Sequence, residues 1–346
     1  MKKWQQNILI LIISVILVCL VGELYLRLLD FNKPLKFYLI PSVNEKLVYE
    51  LDPRSSEINS FGMRQDNFRE EDLSDAYVIA AIGDSHTYSL GVNDWYNSYP
   101  KKLEHYLDTL SNGRKVRVLN FGVSGYNTAQ ELEVFKSKAL QFHPDLVVLQ
   151  ITINDTHVCN LIQPKYKFIN QLIYKSKLLV FCWKKFLYSD ISIKYLYNWF
   201  EKYLPDSLFF QEGLVGTRDS NIKGELPAHL NHPARTKDRV PLRYHYMLGE
   251  ENWKKHIYDF VKIARIHNIP IIATGFIENW QRAVLLSEGI KIYTFDEIFG
   301  VIDENKYGYI PSRTGTHFNE AGCDVIGKNL AGFIFNLYLR NERKIN

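Results

Sequence analysis

The stretch Tyr77-Val78-Ile79-Ala80-Ala81-Ile82-Gly83-Asp84-Ser85-His86-Thr87 decides how this chain is read. Six apolar residues with no polar alternation, stopped by a glycine and an aspartate, have the form of a strand buried on both faces that opens into a polar loop. The same pattern recurs downstream. Val116-Arg117-Val118-Leu119-Asn120-Phe121 ends at Gly122-Val123-Ser124-Gly125-Tyr126-Asn127. Leu146-Val147-Val148-Leu149-Gln150-Ile151 is entered through His143-Pro144-Asp145 and left through Thr152-Ile153-Asn154-Asp155-Thr156. Between these runs, residues 99–110 place Leu103, Tyr106, Leu107 and Leu110 at helical spacing, and 128–140 reads as a second helix. Further on, a helix over 253–267 leads into a strand at 269–273, a fifth strand is expected at 290–295, and 320–339 reads as a closing helix. Strands alternating with helices of about a dozen residues predict an α/β fold: a doubly wound parallel sheet of about five strands in three layers.

Composition narrows the function classes. The 346 residues carry 42 Lys+Arg against 38 Asp+Glu, a net charge of +4, and no basic run, so no nucleic-acid partner is expected. Hydrophobic residues at 46% and charged residues at 23% match ordinary globular chains and exclude wholesale disorder. The four cysteines form no C-x-x-C pair, which removes zinc ribbons and thioredoxin-type motifs.

The N-terminus is an address as well as a structure. After Met1-Lys2-Lys3-Trp4, residues 8–22 carry no charge. Counted over 7–29, with Glu23 and Arg27 snorkelling toward the far interface, the stretch is long enough to span a bilayer. A cleaved signal peptide is the competing reading, but no A-x-A-like site follows, and Val18 before Cys19 is too bulky for a lipoprotein site. Lys2 and Lys3 favour a cytoplasmic N-terminus and an extracytoplasmic remainder. The expected organisation is a cytoplasmic tail (1–6), a transmembrane anchor (7–29), a connector with Pro34, Pro41 and Pro53 (30–75), and a folded domain (76–346) interrupted by an aromatic-rich insertion (157–250). Two readings of that insertion stay open: a helical cap packed on the sheet, or a surface that meets the membrane or grips a sugar or acyl chain. Within it, Cys159 and Cys182 are a candidate disulfide in an oxidising compartment, which would leave Cys323 free.

Ligands of α/β sheets bind beyond the carboxyl ends of the strands. Three of the predicted strand ends carry polar or glycine-rich loops, and Thr314-Gly315-Thr316-His317-Phe318-Asn319 precedes the closing helix. Taken in order, these four blocks resemble the signature blocks of the SGNH hydrolases, also called the GDSL esterase/lipase superfamily, over about 75–340 without the insertion. The resemblance implies Ser85 as nucleophile and His317 as the base that takes its proton, because a serine hydroxyl attacks poorly unless a base assists it. It also implies an oxyanion hole formed by the backbone N–H of Ser85, the backbone N–H of Gly125 and the side-chain amide of Asn154. Each such donor is typically worth about 2.7–4 kcal/mol in the transition state. His86 is expected beside the pocket, and Asp84 is expected to hold the turn. Each assignment has a plain structural rival. Ser85 would serve as a helix N-cap, Asn154-Asp155 as a turn or (with Thr156) a glycosylation sequon, and His317 as a surface histidine.

The chain departs from the family pattern at one point. Three residues before the histidine, where the family places an aspartate, stands Thr314. Three arrangements follow: a carboxylate from elsewhere, with Asp303 nearest and Glu304 or Asp296 beside it; a Ser–His dyad supported by Thr314 or a backbone carbonyl; or a domain that only binds. The resemblance implies a membrane-anchored serine esterase or acyltransferase acting on O-acyl esters, acetyl foremost, of envelope glycan or lipid. The alternative is an inactive glycan- or lipid-binding assembly factor. No metal or cofactor is expected; the Gly83-Asp84-Ser85-His86 run lacks the second G-D or G-N-H run of a metallophosphoesterase.

Overall fold

A computed structural model describes residues 3–30, 39–159, 176, 178–179, 182, 242–308 and 317–340. It separates into two compact units, one formed by 1–56 with 162–212 and the other by 57–161 with 213–346.

The first unit begins with helix α1 (Lys3–Asp30), 28 residues long. Its Lys3–Leu28 portion has a mean hydropathy of 2.8 with nothing buried, and it is long and apolar enough to cross a membrane. At about 1.5 Å per residue such a helix exceeds the roughly 30 Å hydrocarbon core. Glu23 and Arg27 do not simply reach outward as snorkelling predicts. Arg27 Nε donates to Glu23 Oε1 at 2.7 Å, while Glu23 Oε2 accepts from Ser176 Oγ (2.8 Å) and from the Leu178 N–H (2.7 Å). Pairing and hydrogen bonding both lower the cost of a charge on an apolar helix. Strands β1 (Leu39–Pro41) and β2 (Tyr49–Leu51) then form an antiparallel ribbon with Leu39 opposite Leu51. The expected connector is therefore not a bare linker. It carries this ribbon, with Leu47, Val48 and Tyr49 buried, and its remainder from 57 onward belongs to the second unit, where Ile58, Met63 and Arg64 are buried.

The second unit runs β3 (Tyr77–Ile82), α2 (Ser85–Tyr88), α3 (Tyr99–Ser111), β4 (Val116–Asn120), α4 (Thr128–Val134), β5 (Leu146–Ile151), α5 (Glu250–Ile266), β6 (Ile271–Gly275), α6 (Asn279–Ser287), β7 (Lys291–Thr294), α7 (Phe295–Phe299), α8 (Glu304–Tyr307) and α9 (Glu320–Ile334). The five strands β4-β3-β5-β6-β7 are parallel throughout. Every residue of β3 and β5 is buried, as their unbroken apolar runs require. Alternate residues serve the two faces. Ile79, Ala81, Val116, Val118, Leu146 and Val148 share one core with Leu103 and Leu107 of α3 and with Ile326, Leu330 and Ile334 of α9. The α4–α5 pair is joined by Phe135 and Phe260, stacked with centroids 4.4 Å apart.

Some boundaries move for local reasons. β6 starts at Ile271, not 269, because Pro270 has no N–H to give a ladder; its carbonyl still accepts from Val147 N–H at 3.0 Å. The helix expected over 128–140 ends as α-helix at Val134 and continues through wider and tighter turns to His143, which takes a left-handed φ of 47° before Pro144. The expected Cys159–Cys182 bond is not formed. All four cysteines are free thiols, Cys159 buried in the second unit and Cys182 exposed in the first. Most of the 157–250 insertion lies outside the described residues.

The strand order switches sides at β3, with β4 added on one side and β5 on the other, so the carboxyl ends of β4, β3 and β5 lie side by side. Their loops pack tightly there. A Cβ on Gly122 would sit 2.2 Å from the Tyr88 nitrogen and 2.5 Å from the Thr87 carbonyl carbon, whereas one on Gly332 of α9 meets nothing within 4 Å. Gly122→Ala is therefore expected to destabilise the chain by about 1–3 kcal/mol or more through backbone overlap. Gly332→Ala is expected to stabilise it by up to about 1 kcal/mol. Denaturant unfolding of the full chain in detergent micelles checks both signs.

Candidate active site

The loop that carries Ser85 starts where β3 stops. Gly83 is needed there because a Cβ would lie 2.3 Å from Thr87 Oγ1 and 2.6 Å from Gln150 Oε1. Asp84 follows as the N-cap of α2, its Oδ1 accepting from the His86 N–H at 2.9 Å. Its Oδ2 accepts from the Thr152 hydroxyl at 3.1 Å, and its own N–H donates to Gln150 Oε1 at 3.2 Å. One aspartate thus ties the end of β3 to the end of β5. Because Asp84 is the cap, Ser85 is the first helical residue and its hydroxyl is not committed to capping.

Ser85 Oγ lies 2.9 Å from Nε2 of His317, a residue 232 positions away in the chain. His317 is buried and not a surface histidine. The start of α9 holds it. Asn319 caps that helix by accepting from the Gly322 N–H (3.0 Å), and its amide donates to the carbonyls of Lys306 (2.9 Å) and Gly308 (3.1 Å). Phe318 pairs with Gly308 across a single antiparallel bridge.

The other two loops reach the same edge. Val123 N–H donates to the Gly83 carbonyl at 3.1 Å, and Gly125 turns with a φ of 77°, a conformation that glycine adopts at little cost. Asn154 sits in a short 3₁₀ turn after β5. Its Nδ2 donates to the Tyr126 carbonyl at 2.9 Å, and its Oδ1 shares the single Thr152 hydroxyl hydrogen with Asp84 Oδ2. The loops after β3, β4 and β5 are therefore cross-linked pairwise: Val123 to Gly83, Asn154 to Tyr126, Thr152 to Asp84.

The candidate third members fare differently. Asp303 caps α8, with its carbonyl (3.1 Å) and Oδ1 (3.3 Å) both accepting from the Lys306 N–H. Thr314 lies outside the described residues.

Residues 81–177 match the family model of the GDSL-like lipase/acylhydrolases. Over this segment the chain is similar to hydrolases of that description. Among solved structures, the chain is similar to TesA (14% identity, 75% of this chain and 99% of that one covered, TM-score 0.42). It is also similar to an acetyl xylan esterase (13%, 74% and 99%, 0.40) and to a lipase/acylhydrolase from Enterococcus faecalis (11%, 75% and 95%, 0.41). No curated protein sequence matches the chain.

Three features around this site escape a reading of the sequence, and a fourth was placed there without its contacts. Arg64, in the expected connector, is buried and donates to the carbonyls of Tyr88 (2.9 Å), Ser89 (2.7 Å) and Val92 (2.8 Å), which fixes the far end of α2. Gln150, read as part of an apolar run, accepts from both the Asp84 N–H and the Thr87 hydroxyl (3.1 Å). Behind Asn154, Glu131 is buried with neither carboxyl oxygen partnered, and burial followed by the charges of Asp155 and Asp84 raises its pKa well above the usual range. Asp155 shifts the same way, through burial and then Asp84, against the pull of a hydrogen bond from the Thr152 N–H.

The fourth is His86. Its ring stacks on that of His317 (centroids 5.1 Å apart, planes 27° apart) and meets Phe276, Phe295 and Phe318 at 5.5, 5.8 and 5.6 Å. Desolvation pushes its pKa down to about 4; Asp84 opposes that and His317 adds to it. A base with a depressed folded-state pKa binds its proton in the unfolded chain first. The stability it supplies is therefore complete above about pH 6.5 and is lost as pH falls through about 4. Relative to His86→Phe, the wild-type chain is expected to lose about 2–3 kcal/mol of stability between pH 7 and pH 4. Denaturant unfolding of both chains at the two pH values measures the difference, and the comparison cancels the opposite contributions of Glu131 and Asp155.

Proposed function

We propose that this protein is a membrane-anchored serine esterase or acyltransferase acting on O-acyl esters, acetyl foremost, of an envelope glycan or lipid. The observation that carries the reading is the 2.9 Å approach of Ser85 Oγ to His317 Nε2, beside loops that Asn154 ties together through its hydrogen bond to the Tyr126 carbonyl. In this mechanism His317 Nε2 takes the Ser85 proton as Oγ bonds to the ester carbonyl carbon. The oxyanion accepts hydrogen bonds from the N–H groups of Ser85 and Gly125 and from Asn154 Nδ2. Collapse breaks the bond to the alcohol, which leaves with the proton held by His317. The acyl-serine is then attacked by water, giving hydrolysis, or by a sugar hydroxyl, giving transfer. Thr314 or Asp303 would complete the relay by accepting from the other ring nitrogen.

Helix α1, with Lys2 and Lys3 at the start of the sequence that forms it, supports an anchor with a cytoplasmic N-terminus and a catalytic domain (76–346) outside the cytoplasm. A domain that binds acylated glycan without turning it over is the second reading, favoured by threonine at position 314. Turnover of p-nitrophenyl acetate by the detergent-solubilised chain separates the two. Ser85→Ala and His317→Ala are each expected to lower kcat by roughly 10³-fold or more. Asn154→Ala is expected to lower it by about 10²–10³-fold. Equal rates in wild type and Ser85→Ala would leave only the binding reading.

A further inference from the structure

We propose that His86 is a positioning residue for His317: its neutral ring lies face to face with the His317 imidazole, holds that ring in line with the Ser85 hydroxyl, and stabilises the imidazolium formed when the proton is transferred. The proposal rests on the Ser85–His317 reading above and adds a source of charge stabilisation to it.

Geometry supports the role from both sides of the ring. His86 cannot swing away. Its backbone is pinned by the His86 N–H donating to Asp84 Oδ1 at 2.9 Å, and its ring is caged by Phe276, Phe295 and Phe318. These three also lock one another: Phe276 against Phe295 and Phe295 against Phe318 are edge-to-face at 5.1 Å, and Phe276 lies parallel to Phe318 at 6.2 Å. The open face of this cage is occupied by the His317 ring at 5.1 Å and 27°. A cation within about 6 Å of an aromatic face is attracted to it, more strongly where water is excluded. With threonine at position 314, this face provides stabilisation that an aspartate would give as charge.

The role requires His86 itself to stay uncharged. Among the described residues, the charged and titratable groups that face it are Asp84 and His317; the three phenylalanines contributed by the loops after β6, β7 and before α9 carry none. Its depressed pKa, about 4, keeps it neutral over the working range. In the proton transfer the Ser85 proton moves to His317 Nε2, and His86 neither gains nor loses one.

The test uses the full chain in detergent micelles with labelled histidine, the His317 ring signal being assigned by its loss in His317→Gln. His86→Phe keeps an aromatic face, whereas His86→Leu keeps apolar volume without one. The His317 titration midpoint is expected to fall by about 0.5–1 pH unit in His86→Leu and to hold at the wild-type value in His86→Phe. A midpoint unmoved in His86→Leu, or lowered equally in both variants, overturns the proposal, since a ring that merely fills space would give one of those results. Wild-type chain lacking Ser85-dependent turnover of p-nitrophenyl acetate would sink the esterase reading instead, so the two failures are distinguishable.

Discussion

Three neighbouring parallel strands, β4, β3 and β5, finish at one edge of the sheet, and the chemistry depends on how their loops are tied together there. The sheet alone would leave three loops free to diverge. Side chains prevent that. Asp84 spans from its own helix cap to Thr152, Asn154 reaches the carbonyl of Tyr126, and the Val123 N–H returns to Gly83. Small residues make the approach possible, since Gly83 and Gly122 stand where any Cβ would overlap the α2 turn or Gln150. The fourth loop, ahead of α9, is fixed by Asn319 and brings His317 to the serine.

Tight polar packing in a water-poor region has electrostatic consequences. Glu131 and Asp155 are both forced toward their protonated forms by burial first and then by neighbouring carboxylates, Asp155 and Asp84 for Glu131 and Asp84 for Asp155. His86 is forced the opposite way, toward its neutral form, by the same desolvation. With Glu131, Asp155 and His86 biased to their neutral forms, charge developing on substrate and on His317 would meet fixed dipoles and ring faces. Arg64 is a buried cation whose guanidinium donates to the carbonyls of Tyr88, Ser89 and Val92 just after α2 and pairs with Glu57 Oε2 at 3.4 Å.

How far the sequence reveals all this depends on whether a feature is local. β3 and β5 occupy the positions that their apolar runs define, because a strand buried on both faces has no alternative pattern. Ser85 and His317 were found through the resemblance of four motif blocks, and the structure places them in contact. Features set by tertiary packing were not readable. Arg64 sits in a polar stretch with no periodicity, Gln150 hides in an apolar strand, and the cage around His86 draws on residues 276, 295 and 318. Helix α6, with only Gln281 and Leu285 buried, has too slight an apolar stripe to stand out. The Cys159–Cys182 pairing was inferred from compartment chemistry alone, and both cysteines are free thiols.

The central claim is that the Ser85 oxygen is a nucleophile made reactive by its place beside His317. Peptide mass mapping after treating the full chain with a fluorophosphonate tests it most directly. The account predicts one covalent adduct on the peptide containing Ser85, absent from His317→Ala. An unmodified Ser85 peptide, or an adduct formed equally well without His317, would contradict it.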